Sequence, residues 1–137
     1  MEDKKMIHLI YGAKGSGKTV KIMDAVNDKC KGADANVVFI TDNDRSLGID
    51  KAVRFVNVKE YDIKWDCCLV AFLKGMLAAN SDNTAFYIDG ISRFTKKKPE
   101  ELEELMAELE DISAKFGVDL TLTISTDTLP KFMMKYV

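Results

Sequence analysis

Arginine, cysteine and histidine are all scarce in this chain of 137 residues, and each scarcity narrows what it can do. The arginines are Arg45, Arg54 and Arg93 alone, so no cluster is present from which to build the arginine-bearing lid of a small-molecule kinase. The cysteines, Cys30, Cys67 and Cys68, are odd in number and two are adjacent, which fits neither a disulfide framework nor the spacing of a zinc site. They point to a reducing, cytoplasmic setting. His8, the one histidine, has no cysteine or histidine near it in sequence and reads as an ordinary buried or edge residue of a strand. Apolar runs are short, none approaching the roughly 20 residues of a membrane-spanning helix. The first of them follows a charged start at 1–5, is interrupted by His8 and ends at Gly12, too short for a signal peptide. A surplus of charge is lacking too: 20 basic against 22 acidic side chains leave a net charge of −2, so no global field draws in nucleic acid or an anionic bilayer.

What is present is core material. Hydrophobic residues make up 47% of the chain, enough for one core, and with domains of roughly 150 residues the expectation is a single domain over 1–137. No internal repeat, Pro/Ser-rich linker or low-complexity tract divides it. Residues 6–11, Met-Ile-His-Leu-Ile-Tyr, read as a strand that stops at a glycine-rich stretch. Ile22, Met23, Val26 and Cys30 then recur at helical spacing as far as Gly32. Strands are expected over 37–40, which ends in the polar turn Thr41-Asp42-Asn43-Asp44, over 53–58, over 85–88, and over 118–124, where Leu120, Leu122 and Ile124 alternate with threonines. The segment 66–80 is apolar nearly all round, with Lys74 its one charge between the ends, and implies a helix wedged against its neighbours or docked on a partner. Pro99 opens a further helix in which Leu102, Leu105, Met106, Leu109, Ile112 and Phe116 form one stripe and which Gly117 closes. A short helix at most covers 129–137. Alternating strand and helix predict an α/β fold: a mostly parallel sheet covered on both faces, a three-layer αβα sandwich.

Gly12-Ala13-Lys14-Gly15-Ser16-Gly17-Lys18-Thr19 follows the first strand and opens the first helix. It fits the pattern Gly, any four residues, Gly-Lys-Ser/Thr, which a chain of this length meets by chance about once in two hundred. The spacing has a physical reason. A loop poor in side chains can curl so that successive N–H groups point inward at phosphate oxygens, and the first turn of the helix adds its unpaired donors and its dipole. Lys18 is then placed to reach the β- and γ-phosphates of a nucleotide, and the Thr19 hydroxyl to ligate Mg²⁺. A phosphate-bound Mg²⁺ also calls for a carboxylate at the end of a neighbouring parallel strand. Ala85-Phe86-Tyr87-Ile88-Asp89 supplies Asp89.

On these residues the chain resembles the P-loop NTPases, with 12–19 as the Walker A loop and Asp89 as the Walker B aspartate. The intervening strand 37–40, the run Ile88-Asp89-Gly90-Ile91-Ser92 and the order of elements resemble the RecA/KaiC-like (ASCE) branch. The size is similar to that of minimal single-domain bacterial ATP-binding proteins. The resemblance implies the P-loop NTPase fold, ATP as ligand or substrate, and Mg²⁺ as cofactor. It further implies an acidic residue that polarises the attacking water, a place held here by Asp42 or Asp44. Each is an aspartate where the branch usually has glutamate, so its carboxylate sits one methylene further back. Ser125 or Thr126, at the end of the last strand, occupies the place of the branch's polar γ-phosphate sensor. Lys14 stands one residue later than the extra lysine of MinD/ParA-type loops, where this chain has Ala13.

Two functions from different classes follow. One is a slow ATPase, with Lys18 and Asp42 or Asp44 acting on the γ-phosphate while Thr19 and Asp89 hold the metal. The other is a nucleotide-dependent binding module with little hydrolysis, a protein partner or second copy docking on 66–80. Lys96-Lys97-Lys98 and the acidic helix after it read as a solvated surface rather than a nucleic-acid patch, and Cys67-Cys68 as small buried hydrophobes. The loop reads phosphates and ignores the ring, so it does not choose between ATP and GTP.

Overall fold

The structure, a computed structural model, describes residues 6–32 and 36–137; the charged start at 1–5 lies outside them. Its elements run β1 (Ile7–Gly12), α1 (Lys18–Lys29), β2 (Asn36–Thr41), β3 (Arg54–Asn57), α2 (Asp66–Ala79), β4 (Asn83–Ile88), α3 (Ile91–Thr95), α4 (Glu103–Phe116) and β5 (Asp119–Ser125). Single 3-10 turns at Val58–Tyr61, Pro99–Glu101 and Lys131–Tyr136 fill the gaps. The five strands make one sheet in the order β1-β5-β4-β2-β3, and every pairing is parallel. Parallel strands need crossover connections and are covered on both faces, which is why β2 and β4 are continuous apolar runs.

Helices flank the sheet on either side, giving the αβα sandwich. On one face Ile22 and Val26 of α1 pack on Val37, Phe39, Ala85 and Tyr87. On the other, α2, α3 and α4 close over Val38, Ile40, Phe86, Ile88, Leu120 and Leu122. Phe86 and Leu120 are fully buried, and each such side chain contributes about 2–3 kcal/mol by leaving water. In α4 the buried set Leu105, Met106, Leu109 and Ile112 keeps helical spacing, and the Gly117 N–H caps the end on Ser113 O at 2.9 Å.

Several expectations need correction. The helix expected from Pro99 begins at Glu103; Pro99–Glu101 is a separate 3-10 turn, held by the Lys98 N–H donating to Glu101 at 2.8 Å. Phe116 is not part of the core stripe, being 41% exposed in the last turn of α4. Helix α3 has no counterpart in the expectations; at five residues it is too short for hydrophobic periodicity to reveal. Helix α2 does bury Leu69, Val70, Leu73 and Leu77, yet its outer side carries Cys67, Ala71, Lys74, Gly75, Ala78 and Ala79. That side is small rather than greasy, so it offers little apolar area to a partner, and Cys67 is exposed rather than buried. Lys97 is no idle surface charge either, since it pairs with Asp66 at 2.6 Å and ties the exit of α3 to the start of α2. His8 lies exposed on β1, an edge strand. Among the described residues no helix is long and apolar enough to cross a membrane.

Candidate functional site

All five strands run the same way, so their carboxyl ends share one edge of the sheet, the edge where ligands of open α/β sheets collect. Gly12, Thr41, Asn57, Asp89 and Ser125 end or follow the strands there. The 12–19 loop leaves β1 with Gly12 O accepting the Thr126 N–H at 3.0 Å, which anchors it to the end of β5. A side chain at Gly12 would meet Ser16 Oγ at 2.5 Å, so Ser16 would have to turn aside to admit one. Gly17 is left-handed at φ 91° and precedes α1 without any side-chain cap. The first-turn amides of α1 therefore keep their donors for an anion. Lys18 is buried to 9% exposure, and its Nζ donates to Ala13 O at 2.9 Å.

Asp89 meets the loop from the other side. It follows β4 by one residue, its N–H bonds Ile40 O at 2.8 Å, and it is 4% exposed. The Thr19 hydroxyl donates to its Oδ2 at 3.2 Å. Its Oδ1 accepts at 2.6 Å from the Thr123 hydroxyl, which in turn accepts the Gly90 N–H at 2.8 Å. Thr123, on β5 between β1 and β4, was not among the candidate residues, and it is the hydroxyl that reaches the carboxylate. Ser125 is exposed beyond the end of this contact, and the Thr126 hydroxyl turns away to Thr128 O at 2.8 Å. Thr123→Val keeps the shape but leaves the buried Gly90 N–H without an acceptor and Asp89 Oδ1 without its donor. We expect this to cost about 1–3 kcal/mol of stability, read from the midpoint of urea unfolding at unchanged slope.

Arg93 is a further residue that was not among the candidate residues. It projects from α3 and grips Asp42 with both arms, Nε to Oδ2 at 3.1 Å and Nη2 to Oδ1 at 3.0 Å. The same Nη2 reaches Asp89 O at 3.4 Å and lies 3.9 Å from Asp89 Oδ2. One guanidinium thus joins the exit of β2 to the exit of β4. Gly90 makes room for it: at φ 86°, any Cβ there would collide with the Arg93 guanidinium. Burial pushes the Asp42 carboxyl up, but the Arg93 hydrogen bonds and charge outweigh it and hold the group below the usual carboxylate range. A depressed folded-state value contributes stability above the unfolded value of about 3.9 and loses it as pH falls through the lower one. Asp42→Asn should accordingly flatten the fall in melting temperature below about pH 4. Asp44, the alternative water-polarising candidate, is exposed and accepts from Asn57 Nδ2 at 2.7 Å.

Beside these residues opens a cleft of about 900 Å³, whose lining does not include Lys18 or Thr123. Lys14 and Thr19 line it from the loop side, Asp89 and Arg93 from the β4 exit, and Asp42 and Asp44 from the β2 exit. The structure therefore brings together Lys14, Thr19, Asp42, Asp44 and Asp89, and sets Ser125 and Thr126 at the root of the loop. The chain matches no protein-family model, and no curated protein matches it. The residues present suit Mg²⁺: the hydroxyl of Thr19 and the carboxylate of Asp89 are hard oxygen donors already in contact. Magnesium takes few protein ligands and fills its shell with waters and phosphate oxygens.

Proposed function

We propose that the chain binds Mg·ATP in this cleft and hydrolyses the γ-phosphate slowly, as a P-loop NTPase. The observation that carries this reading is the contact between Thr19 and Asp89, 70 residues apart in sequence and 3.2 Å apart in space. The contact brings the loop and the end of β4 to one point, as a metal ion shared between them would require. The amides of 12–19 and the first turn of α1 bind the phosphates, and Lys18 exchanges its bond to Ala13 O for phosphate oxygens. Asp89 orients the Thr19 and Thr123 hydroxyls. Bound Mg²⁺ supplies positive charge where negative charge builds on the phosphate oxygens. A cytoplasmic location, with its thiols reduced, accompanies this reading.

One observation favours the second reading, a nucleotide-dependent switch with little turnover. Asp42, one of the two carboxylates offered for polarising water, has both oxygens engaged by Arg93. Two measurements test both readings. A triphosphate at a hundred times its dissociation constant stabilises by about 2.7 kcal/mol, a rise of roughly 5–10 °C in melting temperature. No rise with Mg·ATP, Mg·GTP or Mg·ADP would overturn nucleotide binding altogether. A rise without detectable phosphate release would favour the switch.

A further inference from the structure

A second cavity, of about 500 Å³, shares Asp42 and Arg93 with the nucleotide cleft and none of its other residues. The ion pair is thus a wall common to both. The floor is apolar: Val58, Ile63 and Phe94, all buried. The rim is cationic: Lys59, Lys64 and Lys96 face a single carboxylate, Asp62, beyond the one Arg93 already holds. Such a concentration of positive charge stands out in a chain whose net charge is −2. The size lies within the range of small-ligand pockets, about 300–1,000 Å³.

The backbone singles out the same place. Among the described residues, the non-glycine positions at positive φ are Asp62 and Lys96, at 54° and 57°, and both line this cavity. Glycine would adopt that conformation without strain. Each is the left-handed cap of a helical turn, a common way for such a turn to end, and a side chain there carries strain that glycine would not. Asp62 ends the turn Val58–Tyr61 and Lys96 ends α3, so the strained residues close the pocket from two separate elements.

We propose that this cavity is a second ligand site for a small organic anion, a carboxylate or phosphate monoester on an apolar body. Lys59, Lys64 and Lys96 hold the anionic head, and the body lies over Phe94, Ile63 and Val58. The anion competes with Asp42 for Arg93, and occupation of this cavity is thereby linked to the nucleotide cleft; this linkage, though not the site itself, rests on the nucleotide reading. A coupling of this kind is reciprocal.

Amide ¹H–¹⁵N correlation spectra of the 15.4 kDa chain decide the matter, with benzyl phosphate and phenylacetate as anionic probes and benzyl alcohol as their neutral counterpart. Both anions, or one of them, should shift amides in 58–64 and 93–96 saturably, while the alcohol at equal concentration does not. The arm that responds names the head group. Lys59→Gln/Lys64→Gln should weaken the response at least tenfold. Lys96→Gly should weaken it too while raising the melting temperature, since relief of strain and loss of a ligand contact act in opposite directions. Shifts confined to 12–19, an equal response to the alcohol, or a Lys96→Gly variant that binds unchanged would overturn the site. Saturating Mg·ATP should alter the probe's dissociation constant; an unaltered constant overturns the linkage. If Mg·ATP moves no amide in 12–19, the nucleotide reading fails while the probe titration still decides the cavity.

Discussion

Lys18→Ala should weaken Mg·ATP binding by about 3 kcal/mol, somewhat over a hundredfold, and abolish measurable phosphate release, while the ligand-free protein stays folded. The two halves of this expectation have separate causes. An ammonium bonded to phosphate oxygens makes charge-assisted hydrogen bonds, each about twice as strong as a neutral one, and no neighbouring cation can replace it. Arg93 is committed to Asp42, and Lys14, though it lines the cleft, is exposed to solvent, where its charge is screened. In the ligand-free protein Lys18 makes one bond, to Ala13 O, and that carbonyl also accepts the Ser16 N–H at 3.1 Å. Removing the lysine therefore strands no buried acceptor. Lys18→Met retains the aliphatic stem beside Gly12 and separates lost charge from lost packing. Titration calorimetry checks the affinity. An unchanged dissociation constant in both variants would show that nucleotide, if bound at all, does not lie on this loop.

The turn at 12–19 was legible because its pattern is local: eight consecutive residues lie between a strand and a helix, and the structure has β1 and α1 on either side of them. The αβα layering was legible for a similar reason, since each element's own pattern of burial announces it. Thr123 was not. Its strand alternates leucine and isoleucine with threonine, which suggests that the threonines face water, but a parallel sheet under helices on both faces buries both sets. What places Thr123 beside Asp89 is the register that sets Ile88 opposite Leu122, a pairing between strands more than thirty residues apart. Arg93 was hidden differently. It lies four residues after Asp89, a spacing that a helix would turn into proximity, but α3 is one turn long and leaves no periodic trace. Asp42 could be placed at a strand end, though not paired, because its partner was unseen. The sheet order β1-β5-β4-β2-β3, which seats Thr123 between the loop strand and the aspartate strand, is a property of tertiary packing that no single segment encodes.

Asp89→Asn should leave the fold within about 1 kcal/mol of the parent, because every buried hydrogen-bond partner stays paired, and lower phosphate release at least a thousandfold with loss of the Mg²⁺ requirement for tight nucleotide binding. Hydrogen-bond polarity decides which way the new amide points. Thr123 accepts the Gly90 N–H, and its own proton goes to Asp89 Oδ1. That position must remain an acceptor, so the asparagine carbonyl oxygen turns toward Thr123 and the NH₂ group toward Thr19. The Thr19 hydroxyl rotates from donor to acceptor at little cost, being on the exposed side of the contact. The fold survives because every buried partner is still satisfied. The chemistry does not, because two hydrogens now stand where a hard cation requires a lone pair, and the carboxylate charge near Arg93 is gone. Nucleotide titrations with and without Mg²⁺ read the first effect, and single-turnover phosphate release reads the second. A variant whose nucleotide affinity still rose with Mg²⁺ as in the parent would remove Asp89 from the metal shell and leave its bond to Thr19 as a device for closing the loop alone.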